Sequence, residues 1–249
     1  EAETGLSATL PSFSVDSPFS YEATRIWIPK DSPLSSAPER GRDERERKWL
    51  RFTENFCRSY IPPYLKENLG GVLVLCSSRS RMKYLADAVT DELAKRGASS
   101  WLVMTQGERS RKKLARDFTR ARVSTVLFGS ASFREGFDVR GAGLTWVIID
   151  RLPFPVPGSE DSMRVERLKK WGFVEDPFLH SLGLMKLHLE QSAGRLIRSD
   201  DDWGTVTVLD GRILSKWDEW KCGECLPPSP VPPLTETLSP EKWIDTAID

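Results

Sequence analysis

From Gly71 onward the chain alternates between short, continuously hydrophobic runs and longer stretches in which apolar residues return at helical spacing. Val72-Leu73-Val74-Leu75-Cys76, Trp101-Leu102-Val103-Met104, Thr125-Val126-Leu127-Phe128, Thr145 to Ile149 and Thr205 to Leu209 have strand length and no polar alternation. Arg79 to Arg96 places Met82, Leu85, Ala86, Val89 and Leu93 on one helical stripe and closes on Gly97, a residue that suits a helix C-terminus. Ser110 to Arg120 reads as a basic helix with Leu114 and Phe118 inward, and further helices are predicted around Ser162–Trp171 and over Pro177–Ile197. Strands that are apolar at every position are buried on both faces. With helices as crossovers, the pattern predicts an α/β fold: a parallel sheet with helices on both faces. Ligands of such sheets lie outside the carboxyl ends of the strands, which directs attention to the loops after Cys76, Met104, Phe128 and Ile149.

The flanks are patterned differently. Residues 1–20 are rich in Ser, Pro and Thr and read as an extended lead-in, followed by a short strand at Ile26-Trp27-Ile28. Ten of the thirteen residues from Glu39 to Arg51 are charged, which predicts a solvated helix running to about Tyr60 and stopped before Pro62-Pro63. Six prolines between Leu226 and Pro240 predict an extended C-terminal tail, most simply a tether to a further domain.

Composition narrows the function classes. The 249 residues are 39% hydrophobic, enough for one large domain with its own core. No apolar run approaches membrane-spanning length, the acidic N-terminal segment lacks the core of a signal peptide, and four cysteines do not make a disulfide framework. A cytoplasmic location is expected. Lys+Arg and Asp+Glu both number 36, and a net charge of zero argues on its face against nucleic-acid binding. Residues 79–122, however, hold twelve Lys/Arg against five Asp/Glu, a local balance of +7, and the placement of charge controls binding more than its sum.

Two runs carry candidate chemistry. Gly129-Ser130-Ala131-Ser132-Phe133-Arg134-Glu135-Gly136-Phe137-Asp138 follows a predicted strand. Small residues and hydroxyls there let backbone N–H groups approach an anion, and a carboxylate just past a glycine can accept from a sugar hydroxyl; a plain surface turn accounts for the same residues. In Gln191-Ser192-Ala193-Gly194-Arg195-Leu196-Ile197-Arg198, two arginines three apart would share a helix face. Guanidinium groups suit the charge on a transferring phosphoryl group, and Gly194 permits close approach. Taken alone, the arginines are better explained by surface ion pairs, for instance with Asp200-Asp201-Asp202. Cys222-Gly223-Glu224-Cys225 is a single C-x-x-C; Cys57, Cys76, His180 and His188 offer no second pair for a four-ligand metal site, so a turn is expected there. Neither histidine is assigned a chemical role.

Taken together, the two runs resemble motifs V and VI of superfamily 2 helicases, in order and at suitable spacing. The chain resembles the second RecA-like domain of the DinG/XPD helicase family over residues 5–215. Ser7-Ala8-Thr9-Leu10 is similar to motif III, Ser17-Pro18-Phe19-Ser20-Tyr21 to the segment that opens this domain, and Val72 to Ser78 to motif IV. The stretch from Val147 to Pro157, and Gly194 to Ser199 followed by Asp201-Asp202-Trp203-Gly204, continue the match. The resemblance divides the chain into a motif III remnant and linker (1–21), a RecA-like domain (22–225) and a Pro-rich tail (226–249). It implies that Arg195 and Arg198 reach the γ-phosphate of ATP held by a neighbouring domain, with Gln191 orienting them. It places Glu135, Gly136, Asp138 and Gly194 at the nucleotide. Ser77, Ser78, Arg79, Gln106, Gly107, Ser130 and Ser132 would hold the backbone of single-stranded DNA, with Phe133 and Phe154 as candidate stacking residues, although core or hinge packing is the more usual role of such rings. A motor that grips any sequence should use phosphate contacts and stacking.

The sequence lacks a G-x-x-x-x-G-K-[ST] loop and a D-E-A-H-like run after an apolar strand. In this family those parts, and the iron–sulfur cluster of many members, belong to the first RecA-like domain. The resemblance therefore implies about half of a two-domain, ATP- and Mg-dependent DNA helicase moving 5′ to 3′, inactive alone and acting as a monomer in DNA repair. Its partners would be single-stranded DNA, with R-loops among candidate substrates, and the first RecA-like domain, with no membrane. Only six residues, Pro11 to Asp16, separate the first two matched segments; Arg134 stands where relatives often carry Trp, Ser192 where Gly is common, and Leu6 where Thr is usual. These departures leave open a divergent branch such as the CRISPR-associated DinG helicases. The rival reading is a RecA-like module that binds nucleic acid or protein without ATP-driven movement; the paired motif VI arginines favour the motor.

Overall fold

The computed structural model describes residues 20–33, 42–98, 102–121, 124–133, 139–156, 158–173, 176–200 and 202–248. Among them six strands, β1 (Thr24–Trp27), β2 (Val72–Leu75), β3 (Leu102–Thr105), β4 (Thr125–Gly129), β5 (Trp146–Ile149) and β6 (Gly204–Val208), form one sheet in the order β1-β6-β5-β2-β4-β3. Every pairing is parallel; at the centre Val72 of β2 aligns with Val126 of β4 on one side and Trp146 of β5 on the other. Helices α1 (Arg42–Lys66), α2 (Arg79–Lys95), α3 (Arg111–Thr119), α4 (Glu160–Lys170), α5 (Pro177–Ala193), α6 (Arg212–Ser215) and α7 (Pro240–Ile248), with three short 3-10 turns, complete the described elements. None of the described helices is long and apolar enough to cross a membrane.

The strands read as unbroken apolar runs because each side of the pleat meets its own helical layer. Leu73 and Leu75 join Leu127, Val147, Ile149, Val206 and Val208 in a core closed by Leu114 and Phe118 of α3 and by Leu182, Met185 and Leu189 of α5. Val72, Val74 and Cys76 join Val126, Phe128, Trp146 and Ile148 in a second core, closed by α1, α2 and α7. Ser78, Ser110 and Ser159 cap α2, α3 and α4, each accepting an N–H from the first turn.

Three elements differ from the pattern expected of the sequence. Pro62 and Pro63 lie inside α1 rather than ending it. Each interior proline costs about 3 kcal/mol, but Ile61, Tyr64 and Leu65 around them are all buried, and full burial of such side chains contributes about 1.5–3 kcal/mol apiece. Packing therefore carries the helix through. Second, α5 stops at Ala193 with Gly194 as its cap, so Arg195 and Arg198 sit in the following turn and do not share a helix face.

Third, the Pro-rich segment is extended but does not lead away from the domain. Leu234 donates its N–H to the Ile26 carbonyl and accepts from Ile28, both at 2.8 Å, and Lys30 donates to Thr235 at 2.9 Å. The chain then forms α7, whose Trp243 is 1% exposed and stacks on Trp27 at 4.5 Å between ring centroids.

Candidate functional site

The carboxyl ends of β3 and β4 bring three of the expected strand-binding residues together. The side-chain carbonyl of Gln106, just past β3, accepts from the N–H of Ser130 at 2.8 Å and from its hydroxyl at 2.9 Å. Its amide donates to the Ser132 hydroxyl at 2.9 Å. Arg111, at the start of α3, donates to the Ser132 carbonyl at 3.0 Å. Gln106 thus braces residues 130–132 just after β4, with its backbone N–H anchored on Phe128. Gly107 is exposed with φ +106°, a conformation that favours glycine. Phe133 is fully buried in the core under this turn, which corrects its reading as a stacking residue: the ring anchors the turn and offers no face to a base. Phe154 is partly buried, with the Arg212 guanidinium 5.0 Å from its ring centroid and Phe178 at 6.3 Å.

A second polar network ties the ends of β2 and β5. Ser77 donates its N–H to both carboxylate oxygens of Asp150 at 3.0 Å and its hydroxyl to one of them at 3.1 Å, and accepts from Arg81 at 2.9 Å. Glu46 of α1 pairs with both Arg81 and Arg151, and the Trp49 ring lies 5.1 and 4.6 Å from their guanidinium carbons. Ser77 is therefore occupied by Asp150, while Ser78 caps α2 and Arg79 is exposed.

Burial pushes the Asp150 carboxyl up to about 6, against the pull of the Ser77 N–H and hydroxyl and of the Arg81 and Arg151 guanidinium groups. A carboxyl raised in the fold above its ordinary range near 3.9 favours the protonated native state. Its contribution to stability is full below that range and is lost as pH rises through about 6. The size is on the order of 3 kcal/mol. Urea unfolding of wild type should accordingly show this fall between about pH 4 and about pH 6, and Asp150→Asn should flatten it. An unchanged fall in the variant would remove Asp150 as its source.

The third region is the turn after α5. Leu196 and Ile197 are buried, while Arg195 and Arg198 are partly exposed. Asp202, itself 2% exposed, organises the turn from beyond it: one carboxylate oxygen accepts the N–H groups of Arg198 and Ser199 and the other accepts Gly141. Burial opposes ionisation of Asp202, but these N–H groups outweigh it and hold the carboxyl below the usual carboxylate range. The Arg195 Nε donates to the Gln191 carbonyl at 3.2 Å, so Gln191 holds Arg195 through its backbone. The Arg198 Nε is buried without a hydrogen-bond partner among the described residues. A Cβ on Gly194 would approach the Glu190 carbonyl to 3.1 Å, a tight contact at the point where the helix ends.

Glu135, Gly136 and Asp138 lie outside the described residues, as do Ser7 to Leu10, Ser17 to Phe19 and Arg134. Cys222 and Cys225 are the buried residues of a single turn whose Gly223 and Glu224 are exposed, and burial pushes the Cys222 thiol up to about 11. His188 braces α5, its Nδ1 3.3 Å from the Pro153 carbonyl and its Nε2 3.5 Å from Asp161. The structure adds Arg111, Asp150 and Asp202 to the site. Arg111 had a readable signal, a cation on the first turn of the helix after β3. Asp150 lies within a matched stretch without an assigned role; Asp202, offered as an ion-pair partner of the arginines, instead accepts the backbone N–H of Arg198.

Comparison with known proteins follows the same lines. Residues 61–227 match the model of the helicase C-terminal domain. The chain is 35% identical over 206 residues to the ATP-dependent DNA helicase DinG of Photobacterium profundum, covering 80% of this chain and 27% of that protein. It is 34% identical over 174 residues to the ATP-dependent DNA helicase YoaA of Escherichia coli, covering 68% and 26%. It is 32% identical over 239 residues to a Bacillus subtilis protein named 3′-5′ exonuclease DinG, covering 94% and 24%. The chain thus spans about a quarter of the length of these relatives. A solved apo XPD shares the fold at 16% identity and a TM-score of 0.54, over 88% of this chain and 40% of that one.

Proposed function

Because the chain belongs to the family of helicase C-terminal domains, we propose that it is the second RecA-like motor domain of an ATP-dependent DNA helicase of the DinG type, moving 5′ to 3′ on single-stranded DNA. The observation that carries this reading is the turn after α5. Arg198 has its backbone pinned by the buried Asp202 and a buried Nε unpartnered among the described residues, an arrangement that suits a guanidinium kept in place for a ligand. In this reading Arg198 meets the charge on the transferring phosphoryl group, and Arg195, held through Gln191, stands beside it. On the same reading Gly194 ends the helix so that the turn can face the cleft, and Glu135, Gly136 and Asp138 are assigned to the nucleotide by resemblance alone. ATP supplies the transferred phosphoryl group. The Mg²⁺ carboxylates and phosphate loop would come from the first RecA-like domain, in keeping with the absence of a Walker loop from this sequence.

The strand would run past the carboxyl ends of β2, β3 and β4. The braced turn of Gln106, Ser130 and Ser132, with Arg111 beside it, supports phosphate contacts there, as does the local +7 balance of residues 79–122. Ser78, Arg79 and Gly107 line the same edge, whereas Ser77 serves it indirectly through Asp150.

The test is strand displacement by the full-length protein on duplexes carrying a single-stranded 5′ or 3′ tail. The expected result is ATP-dependent release of an intact labelled strand from the 5′-tailed duplex. Release only from the 3′ tail would reverse the polarity. Shortened products without displacement would favour a nuclease, and binding without displacement a non-motor module.

A further inference from the structure

We propose that the C-terminal end of α4 is a stacking subsite for single-stranded nucleic acid, formed by Trp171 and Phe173 with Arg167, Lys169 and Lys170 beside them. The proposal rests on the reading of the protein as a motor on single strands and adds a contact point away from the braced turn after β4.

The first observation is exposure. Trp27, Trp49, Trp146 and Trp243 are all buried to within 1%. By contrast, Trp171 is 64% exposed and Phe173 is 60% exposed, only two residues apart. Scattered apolar residues on a surface are ordinary, but two large aromatics side by side at a helix end are a concentrated, costly exposure.

The second observation is how firmly they are presented. Gly172 has φ +76° and donates to the Lys169 carbonyl, while Phe173 donates to Leu168, both at 3.0 Å. This is the paired hydrogen-bond pattern of a Schellman cap. In such a cap the residue at the Phe173 position commonly folds its side chain onto the helix. Leu168 is available and nearly buried, yet the Phe173 ring stays largely in solvent. The backbone is locked and the ring is left free, which limits the ordering cost of binding to a few side-chain torsions.

The third observation is charge. Arg167, Lys169 and Lys170 occupy the last turn of α4 and are exposed, and none of the three pairs with an acid among the described residues. Cations at a helix C-terminus complement the helix dipole, which explains their sign but not the two uncovered rings. Aromatic faces interleaved with unpaired cations match a polyanion with π faces, the chemistry of single-stranded nucleic acid, better than an apolar protein surface. At the start of the next helix, Phe178 lies 6.3 Å from Phe154 in the loop after β5, at the ligand edge of the sheet.

The experiment is fluorescence anisotropy of a fluorescein-labelled oligothymidylate titrated with the 249-residue chain. Trp171→Ala and Phe173→Ala should each weaken binding about 5-fold or more. Trp171→Tyr should restore most of the affinity and Trp171→Leu should not. Lys169→Gln with Lys170→Gln should reduce the salt dependence of binding. Both rings are exposed, so the variants should melt like wild type, and circular dichroism checks that they do. Wild-type affinity in the Trp171→Ala, Phe173→Ala double variant would overturn the subsite while leaving the motor reading intact. Full affinity with Trp171→Leu would also overturn it and point to an apolar partner. No salt-sensitive binding by the wild-type chain would overturn the subsite together with the single-strand groove.

Discussion

Arg198→Ala in the full-length protein is expected to abolish strand displacement while leaving its affinity for single-stranded DNA largely unchanged. Arginine fingers in phosphoryl-transfer enzymes contribute about 10³–10⁵ in rate, far above the single step of about tenfold that 1.4 kcal/mol represents. The size follows from geometry: a planar, permanently charged group acts where charge spreads over the phosphoryl oxygens, in a site from which water is excluded. In this chain the backbone N–H of Arg198 is held by Asp202, and its neighbours Leu196 and Ile197 are buried. Truncation at Cβ should therefore leave the turn in place. Arg198→Lys keeps the charge but loses the fork and should recover only a small part of the rate. Parallel loss of displacement and DNA binding would show that the residue supports the structure rather than the reaction.

Trp243→Ala is expected to destabilise the domain by about 3–5 kcal/mol, a large share of the roughly 5–15 kcal/mol that holds a typical domain folded. Trp243 is almost fully buried, stacks on Trp27, and has Trp146 at 5.0 Å and Tyr64 at 6.4 Å. Removing it leaves a cavity bordered by aromatic rings from β1, β5 and α1 that cannot collapse without moving the sheet. Urea denaturation followed by circular dichroism measures the loss, and Trp243→Phe should recover part of it. A loss below about 1 kcal/mol, the ordinary scale for surface changes, would mean that α7 is peripheral and that the C-terminal segment acts as a tether after all.

The contrast between these two residues shows what the sequence makes legible. The central strands could be read directly, because Val72 to Cys76 is apolar at each position and only burial on both faces permits that. The motif VI arginines could be recognised from local spacing, but their setting could not. A helical period continues past Ala193, but the helix closes on Gly194, and Asp202 holds the N–H groups of Arg198 and Ser199 in the turn beyond it. The role of Ser77 turns on Asp150, 73 residues away. A hydroxyl after a strand suits a phosphate or a carboxylate equally, and only the fold decides which it meets. Phe133 shows the same ambiguity for aromatics, since a ring beside small residues can be displayed or buried. The docking of the proline-rich segment joins Leu234 to β1 and Trp243 to Trp27, pairings across about 200 residues that no local pattern encodes. Pro62 and Pro63 are the reverse case, a strong local signal overridden by the packing of Ile61, Tyr64 and Leu65.

The central claim is that this domain supplies a charge to phosphoryl transfer on ATP held elsewhere in the protein. Single-turnover hydrolysis by the full-length protein, with nucleotide and single-stranded DNA prebound, tests it most directly because it isolates the chemical step from binding and release. The account predicts that Arg198→Ala slows that step by about 10³-fold or more with little change in nucleotide affinity. A chemical step at the wild-type rate would contradict it.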